Sequence, residues 1–270
     1  MRNQNCIIIL LFSVTLLVSC SKSTSTTTAA TVVWTNTVTM SSKFEVPAVA
    51  NRSETAVAEL QIFSDNTLKY SIVVSNLTAG DALVAAHIHR ANAGTSGSVY
   101  IPFDGTFSGS TVTGTVQLTA GQIDTIKTME TYVNVHTTQV AGGLVRGQID
   151  SKVVFAADVV MNAANEVPAG TSLATGLATI RMTENKKLYV KVAVANLESG
   201  DALTAAHFHP AAAGVNGSVL LGFYSAGTDF GTLKTLSVDD TFYNTLLTGS
   251  LYVNAHSTTK PSGLIRGQIR

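Results

Sequence analysis

The sequence predicts an all-β protein made of two tandem Greek-key β-sandwich domains, each carrying one short helix, and three observations lead there. The first is composition: of 270 residues, 45% are hydrophobic and only 13% charged, with 21 glycines and an excess of Thr, Val and Ala. That mixture suits short strands and turns better than long helices. The second is an internal repeat. Ala85-Ala86-His87-Ile88-His89 returns as Ala205-Ala206-His207-Phe208-His209, and Tyr132-Val133-Asn134-Val135-His136 returns as Tyr252-Val253-Asn254-Ala255-His256, both at a spacing of 120. The third is the rhythm of short alternating segments divided by turn signals every roughly 8 to 12 residues, which favours a sandwich over an open sheet.

Residues 1–19 read as a targeting signal rather than part of the fold. Arg2 supplies a charged start, and Ile7 to Val18 is an apolar run too short for a comfortable membrane span. The run ends in Leu17-Val18-Ser19-Cys20, which resembles a bacterial lipobox, and this implies that Cys20 carries a lipid. The only other cysteine, Cys6, lies inside the signal, so no disulfide is expected in the domains. Residues 20–31, rich in Ser and Thr, read as a flexible tether. The expected location is therefore the cell envelope, lipid-anchored on the periplasmic or outer surface, with the membrane as a partner through Cys20. Net charge is zero and no Lys/Arg-rich run occurs, which removes nucleic acid as a partner.

Domain 1 is expected over 32–150 and domain 2 over 152–270. In domain 1, strands are expected at Val32–Met40, Ala56–Phe63, Leu68–Leu77, Ala82–Arg90, Ser98–Phe103, Thr111–Leu118, Thr131–His136 and Leu144–Ile149, with Asp65-Asn66 turning a hairpin. Thr119 to Met129 is the helical piece, with Thr119 as its cap and Ile123, Ile126 and Met129 at helical spacing. The second copy repeats the order, and Glu45-Val46-Pro47-Ala48 matches Glu166-Val167-Pro168-Ala169 at an offset of 121. Thr106 to Val116 and Ala226 to Leu236 have drifted furthest apart. The linker of Asp150 to Lys152 is so short that the sandwiches should pack close or stack end to end.

All six histidines belong to the repeat: His87, His89 and His136 in one copy, His207, His209 and His256 in the other. Side chains alternate across a strand, so a His-x-His pair projects to one side while Ile88 and Val135 point into the core. One reading is a three-imidazole site for copper or zinc in each domain, since neutral imidazole suits both ions and three nitrogens leave a position open. The other is a hydrogen-bonded polar cluster that fixes strand register, formed with Glu45, Asn134 and Arg146 in one copy and Glu166, Asn254 and Arg266 in the other. Arg146 and Gln148 fall on the same polar face by alternation. No catalytic residues are expected: no serine sits in a nucleophile-elbow pattern, and Gly94 to Gly97 and Gly214 to Gly217 read as turns rather than phosphate cradles. Asp81 and Asp201, each following a glycine, read as turn residues, and Trp34 as a sandwich edge or core residue.

Glu-Val-Pro-Ala, Ala-Ala-His-x-His, Tyr-Val-Asn-x-His and Gly-Leu-x-Arg-Gly-Gln-Ile, in that order in both halves, resemble the CHRD (chordin) domain family. The resemblance implies an extracellular, immunoglobulin-like sandwich module without a defined biochemical role; the first expectation is a non-enzymatic binding or adhesion module with a protein or glycan ligand, the alternative a copper or zinc redox or metal-handling protein using the histidine triads. Nothing here resembles the cysteine-rich modules through which chordin binds growth factors, so that role is not carried over. In arrangement alone the His-x-His strand and the later histidine are also similar to copper/zinc superoxide dismutase, which implies copper ligation by the two triads. The bridging histidine, zinc loop and cysteine pair of that family are missing here.

Overall fold

The computed structural model describes residues 29–270; the expected signal, Cys20 and residues 20–28 of the tether lie outside them. Domain 1 runs β1 (Val32–Ser41), β2 (Thr55–Phe63), β3 (Thr67–Ser75), β4 (Leu83–Arg90), β5 (Val99–Pro102), β6 (Thr106–Ser108), β7 (Thr111–Gln117), α1 (Ala120–Thr128), β8 (Thr131–Thr137) and β9 (Val145–Gln148). Domain 2 runs β10 (Val153–Asn162), β11 (Thr175–Thr183), β12 (Lys187–Ala195), β13 (Leu203–His209), β14 (Leu221–Tyr224), β15 (Lys234–Ser237), α2 (Asp240–Thr248), β16 (Tyr252–Ser257) and β17 (Ile265–Gln268). The strand order is β5-β4-β8-β9-β1-β2-β3-β7-β6 in the first sheet and β14-β13-β16-β17-β10-β11-β12-β15 in the second. The two orders are the same apart from β6, which has no counterpart in domain 2. No helix among the described residues is long and apolar enough to cross a membrane.

In each domain the halves of the sheet are joined through a single residue pair, Ser41 with Arg146 and Asn162 with Arg266. The halves fold over one another around one core. Leu60, Ile62 and Ile72 from β2 and β3 meet Ile88, Val133 and Val135 from β4 and β8, all fully buried, as the alternation requires. Each such side chain contributes about 1.5–3 kcal/mol through burial, so the two-residue period of these strands is what closes the sandwich. Trp34 packs half-buried against this core. The α1 helix starts where expected: the Thr119 hydroxyl accepts from the Gln122 N–H and the Gln122 side chain accepts from the Thr119 N–H. Ile126 is buried, whereas Met129 lies just past the helix and is exposed.

The two sandwiches meet, and they meet asymmetrically. Loops at one end of domain 1 sit on the outer face of the domain 2 strands β10, β11 and β12. Arg181 on β11 is fully buried there and donates to the Glu45 carbonyl, to Asp158 and to the Ala157 carbonyl. Asp158 in turn accepts from the Ala48 N–H at 2.9 Å. Tyr189 on β12 is buried against Ala93 and donates its hydroxyl to Glu130 at 2.6 Å, beside Lys187 at 2.7 Å from the same oxygen.

Candidate functional site: two histidine triads

In domain 1 the polar face is the outer face of β4, β8 and β9. His89 pairs with Tyr132, His87 with Asn134 and Ala85 with His136, and on the far side of β8 Asn134 pairs with Arg146 and Tyr132 with Gln148. His87 and His136 are thus diagonal neighbours across the ladder, the separation at which long side chains meet. His87 Nδ1 lies 3.2 Å from His136 Nε2, and the equivalent atoms of His207 and His256 lie 3.1 Å apart. In each triad one ring nitrogen from each histidine falls within 4.8 Å of the others. Three nitrogens holding one ion at about 2.0–2.1 Å sit roughly 3.4 Å apart, so the widest separation must contract by up to roughly 1.4 Å while the closest pair already fits.

Backbone carbonyls fix the tautomers. His89 Nδ1 donates to the Gly97 carbonyl at 2.9 Å and His136 Nδ1 to the Ala141 carbonyl at 2.9 Å. Their counterparts His209 and His256 donate to the Gly217 and Pro261 carbonyls, each at 3.0 Å. A carbonyl only accepts, so the hydrogen is on Nδ1, and in a neutral ring the inward Nε2 carries the lone pair. His89 Nε2 is buried without a hydrogen-bond partner. Asn254 Oδ1, another acceptor, lies 3.1 Å from His209 Nε2 and 3.0 Å from His256 Nε2. Asn134 Oδ1 lies 3.1 Å from His136 Nε2. In each triad one nitrogen of each ring therefore faces a common point, and two of the three carry lone pairs.

Burial, followed by repulsion from the neighbouring imidazoles, pushes the pKa of His87 and of His207 below the ordinary histidine value. Burial likewise lowers that of His89 and of His256, against the hydrogen bonds their Nδ1 groups make. Lowering favours the neutral form of these four rings, the form that binds a metal ion.

Arg146 and Arg266 do not lie among the histidines. The Arg146 guanidinium sits 3.5 Å over the Tyr132 ring, and His89 stacks parallel to the same ring at 4.8 Å. Both cannot occupy one face, so Tyr132 separates the cation from the imidazoles. Arg266, Tyr252 and His209 repeat the stack at 3.4 and 4.7 Å. Arg146 spends its donors on the Asn92 and Thr95 carbonyls and on Gln148, which fixes the loop whose Gly97 carbonyl holds His89. Glu45 and Glu166 are buried below 10% exposure, and in each one carboxylate oxygen has no partner. Desolvation raises both to about 7, against the pull of Arg146 on Glu45 and of Arg266 and an Asn254 hydrogen bond on Glu166. Gly143, at φ 122°, leaves room for this carboxyl: a Cβ there would fall 2.8 Å from Glu45 Oε1 and 2.9 Å from Asn134 Nδ2. A cavity of about 340 Å³ opens beside the first triad, bordered by Glu45, His89, Ser96, Tyr132 and His136.

Sequence reasoning missed the tyrosine. Tyr132 is in phase with Asn134 and His136 on one strand, and that two-residue period was the available signal. It also underrated Asp81 and Asp201, which are more than turn residues. Asp81 accepts from Arg52, Thr138 and the Gln139 N–H, and Asp201 from Ser257, Thr258 and the Thr259 N–H. Each ties two loops together at the edge of its triad strand.

Fold and polar face together define a tandem β-sandwich binding module. Residues 36–149 and 157–269 each match the CHRD domain, and the chain belongs to that family. No curated protein and no solved structure matches it.

Proposed function

We propose that this chain is a lipid-anchored CHRD protein of the cell envelope that binds copper or zinc, one ion in each histidine triad. The observation that carries the reading is the meeting of ring nitrogens: two Nε2 atoms whose rings are held by backbone carbonyls on Nδ1, and a third imidazole nitrogen, face one point within 4.8 Å of one another. A backbone carbonyl on the outer nitrogen of a ligating ring is the usual support for a bound cation. The arginines lie behind tyrosines and do not compete for the position. With three protein ligands the ion keeps a coordination position for water or a small ligand, and in domain 1 that position faces the cavity. Lipidation at Cys20 would hold both sites at the membrane surface.

The test is metal analysis of purified, demetallated and reloaded chain. Two equivalents of copper or zinc are expected, falling to one in His87→Ala and one in His207→Ala. Failure of either ion to bind, or binding unchanged in both variants, overturns the metal reading. A Cys20→Ser chain recovered with the membrane fraction overturns the anchor.

A further inference from the structure

The two triads share the carbonyl contacts on their outer nitrogens and differ in what holds their walls. In domain 1 the segment Glu45–Ala48 is gripped at both ends by domain 2: Arg181 donates to the Glu45 carbonyl and Asp158 accepts from the Ala48 N–H at 2.9 Å. Between those points the Val46 carbonyl accepts from the Ser96 hydroxyl at 3.0 Å, and the next residue, Gly97, supplies the carbonyl that fixes His89. From the same segment the Glu45 side chain enters the buried space beside Gly143 and Asn134, and Asn134 touches His136. Two short chains of contact thus run from Arg181 and Asp158 to two of the three histidines.

Domain 2 has the same inner links and lacks the grip. Asn216 donates to the Val167 carbonyl at 2.7 Å, the counterpart of the Ser96 contact, and Glu166 lies against Gly263 as Glu45 lies against Gly143. Among the described residues no side chain engages the Glu166 carbonyl or the Ala169 N–H, and Pro168 and Ala169 are exposed.

We propose that Arg181, with Asp158, is a positioning residue for the first triad: domain 2 pre-organises the metal site of domain 1 through the Glu45–Ala48 loop, and the two triads therefore bind the same ion with different affinity. This rests on the metal reading above. Holding a ligand's outer contacts in place is worth roughly 10–100-fold in metal affinity where it has been removed by mutation, and that is the expected size of the difference between the sites.

The experiment titrates Cu(II) into the demetallated chain and follows the paramagnetic resonance spectrum, with His207→Ala to silence the second triad and His87→Ala to silence the first. The His207→Ala chain is expected to bind at least about 10-fold more tightly than the His87→Ala chain. Arg181→Gln added to the His207→Ala chain should remove that advantage and shift the copper spectrum. Arg181→Lys, which keeps a donor, should restore part of both, and Arg181→Gln added to the His87→Ala chain should change neither. Should Arg181→Gln fail to fold, as judged by near-ultraviolet circular dichroism, Asp158→Asn takes its place. Equal affinities in the two single-site chains, or an Arg181→Gln spectrum and affinity matching its parent, overturn the positioning role while leaving the metal sites standing. No copper uptake by either triad overturns the metal reading itself.

Discussion

Domains 1 and 2 share a strand order, a core, a triad and an arginine–tyrosine–histidine stack, yet their outer faces on the β1–β3 and β10–β12 side differ. At matching positions domain 1 carries Thr37, Gln61 and Lys69 where domain 2 carries Asp158, Arg181 and Tyr189. Thr37 and Lys69 are exposed, and Gln61 is half-exposed. Arg181 and Tyr189 are at 0% and 1%. A duplicated sandwich gives each copy one loop end and one such face. Among the described residues a loop end covers only the domain 2 face, where Arg181, Asp158 and Tyr189 receive it. The difference separates what the repeat keeps for its site from what one copy holds for packing.

The largest effect should come from what the copies share. Arg146→Ala leaves the Asn92 and Thr95 carbonyls unpaired and removes the guanidinium from the Tyr132 face. Breaking several charged hydrogen bonds at a buried site costs about 4 kcal/mol. Arg266→Ala should cost about as much, because Arg266 makes the corresponding contacts with the Ala212 and Val215 carbonyls. Urea unfolding of both variants measures this, and a gap of more than about 2 kcal/mol between them would show that the shared stack is not energetically equivalent.

The next effect should belong to one copy alone. Arg181→Met strips partners from Asp158 and from the Glu45 carbonyl in a buried interface, for a loss of about 3 kcal/mol. The same change at the matching position, Gln61→Met, should stay within about 0.5 kcal/mol, as surface substitutions do. Equal losses would mean that the contact between the domains contributes little.

A third effect is set by pH. Glu45 is raised by burial from an unfolded value of 4.5 to about 7. The native state therefore holds a proton that the unfolded chain has released. Stability falls as pH rises through that window and levels off above it. Glu45→Gln should raise stability by about 2 kcal/mol at pH 8 and by much less at pH 5, where the native carboxyl is protonated and the unfolded one, only just above its value of 4.5, gains little by ionising. Thermal melts of variant and parent at the two pH values measure it. The histidines with lowered pKa act in the opposite direction below pH 6.5, and comparison with the parent cancels their contribution.

These contrasts also mark how far the sequence can be read. Alternation in β2, β3, β4 and β8 made the strands legible, the capping box at Thr119 and Gln122 made α1 legible, and the 120-residue repeat brought three histidines together in each half. Each of those signals is local or periodic. Arg181 carries no such signal. It occupies an outward position on β11, where an arginine ordinarily faces solvent, and it is buried because a loop 136 residues away lies on top of it. The placement of Arg146 behind Tyr132 was hidden for a related reason: alternation assigns both to one face and is silent on which ring lies between which groups. Strand β6 was missed because three residues, Thr106 to Ser108, are too few to show a period.

The smallest effect tests the rim of the same interface. Glu130 accepts from Lys187 at 2.7 Å and from Tyr189 at 2.6 Å, while the matching residue in domain 2, Ser250, is exposed. The Glu130 and Lys187 side chains are about a third exposed, at 34% and 38%, so solvent screens most of their attraction. Glu130→Gln keeps an acceptor for the Tyr189 hydroxyl and removes only the charge, and it should cost under about 1 kcal/mol, less in high salt. Burial raises the Glu130 carboxyl, but the hydrogen bonds from Lys187 and Tyr189 outweigh it and hold the group below its usual value. Its contribution is therefore present at neutral pH and lost as pH falls through that lowered value. A larger loss, insensitive to salt, would move the energetic centre of the interface from Arg181 to Glu130 and Tyr189, away from the loop that walls the first triad.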